Sequence, residues 1–82
     1  MLKFYGSMLC PDCVACRKAY DDKNIGYTYL DIGENLANLK EFLSFREREA
    51  FESVRREGKI GIPCIVTEAD EVVLDWELLL KS

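Results

Sequence analysis

The chain has 82 residues, enough for one small domain spanning 1–82, and its 15 Asp and Glu against 11 Lys and Arg give a net charge of −4. With 49% hydrophobic residues it can build a packed core, and its mildly acidic balance argues against nucleic acid and anionic lipid as partners. It has four cysteines and no histidine, which removes Cys–His nucleophilic catalysis and any histidine-containing metal site.

Residues 2–5 read as a short buried strand, and Gly6 and Ser7 loosen the chain into a loop. Cys10 can then serve as a helix N-cap, with Pro11 at the first helical position, where its missing N–H costs nothing. Cys13, Cys16 and Tyr20 follow i, i+3, i+7 and form a buried stripe that Ala19 widens; Arg17, Lys18, Asp21 and Asp22 take the opposite side. Asn24 or Gly26, both suited to a left-handed cap, ends this helix. Residues 27–32 are rich in β-branched and aromatic types and form a second strand, parallel to the first in a right-handed β-α-β unit.

Leu36, Leu39 and Leu43 give a second helix its apolar stripe, Arg46-Glu47-Arg48-Glu49 marks a bend, and Ala50, Phe51 and Val54 resume a stripe that ends near Gly58. Residues 60–66 are expected to form a third strand with Pro63 inside it. A polar turn over 67–71 leads to an antiparallel return strand over 72–74, and Asp75 caps a final helical stub over 76–81. Phe42, Phe45, Phe51 and Trp76 read as core.

No stretch is long and apolar enough to span a bilayer, and the N-terminus lacks the pattern of a secretory leader. The expected setting is the cytoplasm, where thiols stay reduced, so the cysteines point to redox chemistry or metal rather than to a disulfide framework. Cys10-Pro11-Asp12-Cys13, a C-x-x-C between a strand and a helix, carries most of the functional signal.

The order β-α-β-α-β-β-α, Cys10-Pro11-Asp12-Cys13 opening the first helix and Gly61-Ile62-Pro63 ahead of the last hairpin together resemble the glutaredoxin family of the thioredoxin superfamily. Glutaredoxins commonly carry C-P-Y-C and T-V-P, the latter with a cis proline. The resemblance implies a thioredoxin fold, an α/β domain with a four-stranded mixed sheet flanked by helices. It also implies a monomeric thiol–disulfide oxidoreductase. Its partners would be disulfide-containing proteins, glutathione as reductant or substrate, and a reductase; no bound cofactor is expected. Asp12 replaces the family's tyrosine, Met8 stands where a lysine is common, and Val73-Leu74-Asp75-Trp76 replaces a Gly-Gly pair that helps seat glutathione. The segment from Asp31 to Pro63 is longer than usual by roughly two helical turns.

In this reading Cys10 is the nucleophile, since the unpaired amides and positive end of a helix favour its thiolate, while an ionised Asp12 one turn away opposes it. Cys13 is the resolving thiol. Pro11, Asp12, Ile62 and Pro63 are the expected substrate-contacting residues, with a cis Ile62–Pro63 bond leaving the Ile62 backbone free to pair with an extended substrate.

Cys10, Cys13, Cys16 and Cys64 could alternatively hold zinc or an iron–sulfur cluster, since C-x-x-C-x-x-C plus a fourth thiol is a suggestive spacing. Against that, Cys16 and Cys64 read as small core hydrophobes. A redox-inert interaction domain is the third reading. The Arg and Glu run over 46–57 reads as a solvated face, with Arg46, Arg48 or Arg55 as candidates for a substrate carboxylate.

Overall fold

The computed structural model describes residues 1–81. It is an α/β domain with a four-stranded mixed sheet: β1 is Leu2–Gly6, β2 Tyr27–Asp31, β3 Cys64–Val66 and β4 Val72–Val73. The spatial order is β2-β1-β3-β4, with β1 parallel to β2 and both remaining pairs antiparallel. The helices are α1, Pro11–Asp22; α2, Leu36–Phe45; and the short α3, Glu52–Arg56, entered through a 3-10 turn at Glu49–Phe51. A second 3-10 segment, Trp76–Lys81, stands where the helical stub was expected. Among the described residues, no helix is long and apolar enough to cross a membrane.

Strand alternation sorts the core onto two faces. Phe4 and its register partner Ile65 point to one face, where Cys13, Cys16 and Tyr20 of α1 cover them. Tyr5 and its partner Cys64 point to the other, where Phe42 and Phe45 of α2 and Phe51 close over them. Each face thus holds its own buried cluster, separated by the thickness of one sheet. Tyr20 fastens the chain's end to the first face by donating its hydroxyl to the Trp76 carbonyl at 2.8 Å.

Local chemistry sets the connections. Asn24, at φ 56°, takes the left-handed position after α1. The Asp31 carboxylate accepts the Gly33 and Glu34 amides at 2.7 and 2.9 Å, and Asn35 caps α2 by accepting the Asn38 amide at 3.0 Å.

Two expectations are corrected. The buried stripe of α2 is Leu39, Phe42 and Phe45, whereas Leu36 is 81% exposed and Leu43 47%. The two stripes share Leu39, and the helix turns toward the one that buries two aromatic rings, the larger apolar area. The third strand begins at Cys64 rather than at residue 60. Gly61 sits at φ 92°, outside strand geometry, and Pro63 has no N–H to give a ladder.

Candidate active site

A tight turn delivers Cys10 to the start of α1. The Ser7 carbonyl accepts the Cys10 amide and the Ser7 hydroxyl oxygen accepts the Leu9 amide, both at 3.1 Å, so the chain reverses directly after β1. Cys10 has the extended backbone of an N-cap (φ −97°, ψ 117°), and its carbonyl accepts the Val14 amide at 3.1 Å. Pro11 occupies the first turn, as expected. The Cys10 side chain is half-buried, with Pro11 and Asp12 exposed beside it.

Cys13 lies one turn further in and is fully buried among Phe4, Cys16, Tyr20 and Ile65. Burial pushes its thiol up to about 12, partly opposed by a hydrogen bond from the Ser7 backbone N–H; contact with the Cys10 thiol raises it further. The two sulfurs of the motif are therefore neighbours, one half-open and one enclosed. Gly6 makes this possible. A Cβ there would lie 2.9 Å from the Cys13 sulfur and 2.8 Å from the Phe4 ring.

Ile62 and Pro63 face the pair from the β3 side. Their peptide bond is cis, Pro63 is buried, and the Cys10 thiol donates to the Ile62 carbonyl at 3.9 Å. Among the described residues, the N–H groups of Gly61 and Ile62 make no backbone hydrogen bond. Gly61 permits a second close approach. A Cβ on it would fall 2.6 Å from the Phe51 ring.

From Cys10 an open cavity of about 630 Å³ runs past Leu9, Val54, Ile60 and Ile62, with Ser7, Gly58, Lys59 and Gly61 completing its walls. Arg46 holds the far wall by donating to the Ile60 carbonyl at 3.0 Å and to the Lys59 carbonyl. Arg55 donates to the Arg46 and Arg48 carbonyls, the latter at 2.9 Å. Arg48 reaches the Asp70 carboxylate at 2.8 Å and lies over the Phe45 ring. The arginines expected on a solvated face, or on a substrate carboxylate, are thus turned onto this chain's own backbone and Asp70. Each is only half exposed, because closing a turn rich in carbonyls needs donors with several N–H groups.

The remaining cysteines are placed apart. Cys16 joins Cys13 in the α1 cluster, and burial pushes its thiol up to about 12, partly opposed by the neighbouring Tyr20 hydroxyl. Cys64 lies on the opposite face among Tyr5, Phe42, Phe45 and Phe51, its thiol likewise pushed up to about 12 by burial and only weakly opposed by Arg48. All four cysteines are free thiols, and the fold does not bring Cys64 to the other three. Among the described residues, no three His, Cys, Asp or Glu side chains are grouped to hold a metal ion.

Sequence reasoning missed Gly6, Ser7, Leu9, Arg46 and Ile60 as builders of this site. One bulky apolar residue in a loop, Leu9 beside the motif, was the available signal, while Ile60 was expected in the third strand. Leu9 fits no core stripe.

The site can be set beside known proteins. The chain is 33% identical over 71 residues to an uncharacterized protein of Haemophilus influenzae, a match covering 85% of this chain and 83% of that one. The chain belongs to the family of that protein. No family model and no solved structure matches it.

Proposed function

We propose that this chain has the thioredoxin fold and acts as a glutaredoxin-like dithiol thiol–disulfide oxidoreductase, with Cys10 as nucleophile and Cys13 as resolving thiol. One observation carries the reading: a half-open sulfur at a helix N-cap, a buried sulfur one turn behind it, and the Ile62–Pro63 cis peptide facing both. The sheet order β2-β1-β3-β4 with helices on both faces supports the fold.

The reaction proceeds in two exchanges. The Cys10 thiolate attacks one sulfur of a substrate disulfide; a Cys10–substrate S–S bond forms as the substrate S–S bond breaks, and one substrate thiolate leaves. Cys13 then loses its proton and attacks the Cys10 sulfur. The Cys10–Cys13 bond forms, the second substrate thiol leaves, and the substrate has gained the two electrons the protein has given up. Burial of Cys13 keeps it a neutral thiol at rest, so Cys10 is the sulfur left to meet an incoming disulfide. Glutathione or a reductase would return the electrons. The Ile62 backbone offers an extended substrate strand its hydrogen bonds.

The test is disulfide reduction by the pre-reduced protein, compared with Cys10→Ser and Cys13→Ser. The reading expects background rates for Cys10→Ser, and for Cys13→Ser a trapped mixed disulfide visible as a mass increase equal to one substrate half. Equal rates for wild type and Cys10→Ser would overturn it.

A further inference from the structure

The cavity beside Cys10 differs from an anion site in three ways. Its side walls are apolar, formed by Leu9, Val54, Ile60 and Ile62, and Leu9 and Ile60 are 96% and 60% exposed. Among the described residues, Lys59 is the one cation on its lining, and its ammonium already has the Glu57 carboxylate at 3.7 Å. The arginines behind the wall are aimed at backbone carbonyls. On the other side of the Ser7–Leu9 turn, a smaller cavity of about 210 Å³ counts Asp31 and Glu34 among its lining residues and no cation. A substrate with negative charge next to its disulfide therefore meets apolar carbon along the groove that opens at Cys10.

Resting on the dithiol reading above, we infer that this site selects peptide disulfides in which a bulky apolar residue adjoins the reacting cysteine, seated in the Leu9–Val54–Ile60–Ile62 groove, over anionic disulfides such as oxidised glutathione. The groove opens at the attacking sulfur, so the residue it receives is the one bonded to the substrate cysteine. The amides of Gly61 and Ile62, which make no backbone hydrogen bond among the described residues, run along the same wall and give that residue's backbone a partner. Leu9 and Ile60, exposed in the free protein, then gain cover, and each apolar side chain removed from water contributes to binding in proportion to its area.

Single-turnover reduction by pre-reduced protein tests this, using symmetrical disulfides of acetyl-X-Cys-amide with X as Leu, Gly or Glu, oxidised glutathione, and hydroxyethyl disulfide as a small neutral reference. The Leu peptide is expected to react about tenfold faster than the Gly peptide, the size of a specificity gap that one apolar contact supplies. The Glu peptide and glutathione disulfide should fall at or below the Gly peptide. Ile60→Asp, or Leu9→Asp should the first fold poorly, is expected to bring the Leu-to-Gly ratio close to one. Leu43→Asp, on an exposed leucine outside the groove, should keep the ratio. Equal rates for Leu and Gly peptides, faster reaction with glutathione disulfide, or a preference that survives both aspartate variants overturns the inference and leaves the dithiol chemistry standing. A solution dimer dissociated by Ile60→Asp also overturns it, since a second copy then fills the groove. Inertness toward every disulfide, the neutral one included, overturns the dithiol reading and this inference with it.

Discussion

The two faces of the sheet both bury cysteine, and they give it different neighbours. Under α1, Cys13 lies against a second sulfur that stands half-open at the helix start. On the opposite face, Cys64 is ringed by Tyr5, Phe42, Phe45 and Phe51. Burial pushes both thiols up to about 12. Acidity therefore does not separate them. What separates them is the neighbour: Cys13 has a thiol at the mouth of a helix beside it, which under the proposed function gives it a disulfide to attack, whereas Cys64 has aromatic carbon around it.

The comparison breaks most directly at the sulfurs. Cys10→Ser should lose disulfide exchange down to background, while Cys64→Ala should keep the wild-type rate, both read by single-turnover reduction. Loss of exchange in Cys64→Ala would erase the distinction between the faces.

Next in size is the packing of the aromatic face. Phe51 is fully buried, and Phe51→Ala should cost about 3–5 kcal/mol, measured as a lowered urea midpoint. That is a large share of the stability of so small a domain.

A smaller and more selective effect is expected at the two close approaches. Gly6→Ala crowds the Cys13 sulfur and Phe4 and should cost about 1–3 kcal/mol, as overpacking does. Because it displaces the resolving thiol, it should also slow release of the second substrate thiol while leaving formation of the Cys10 mixed disulfide near its wild-type rate. Gly61→Ala presses on Phe51 instead, from a left-handed φ, and should lower stability without that selective slowing of the second step.

The effect reached only in alkaline solution is a pH dependence shared by both faces. Cys13, Cys16 and Cys64 are each raised by burial from an ordinary 9.0 to about 12. The folded state thus holds protons that the unfolded chain releases first. The stability this contributes is complete below pH 9 and is lost progressively as pH rises from about 9 to 12. Burial raises Tyr5, Tyr20 and Tyr29 in the same direction. Thermal melts of the reduced protein should show Tm falling across that range, with Cys64→Ala removing one part of the slope.

The order of strands and helices was legible in the sequence because each is announced by short-range chemistry: Pro11 after a capping Cys10, the short apolar run of β1, the β-branched and aromatic residues of β2, and the Cys13, Cys16 and Tyr20 stripe. The dithiol was legible for the same reason, its two residues being three positions apart. The stripe of α2 was less so, because two overlapping apolar periods fit the same ten residues and the choice depends on what the sheet presents. The groove was hidden. Its far wall is fixed by Arg46 donating to carbonyls 13 and 14 residues away, and a run of Arg and Glu looks the same in sequence whether it faces water or clasps a turn. Gly6 read as a loosener of the chain, yet it pairs with Asp31 in the sheet and gives Cys13 its space.

Disulfide mapping by mass spectrometry after equilibration in an oxidising thiol buffer tests the central claim most directly. The account expects one bridge, Cys10–Cys13, with Cys16 and Cys64 recovered as thiols. Four free thiols under oxidising conditions, or a bridge that leaves Cys10 out, would contradict it.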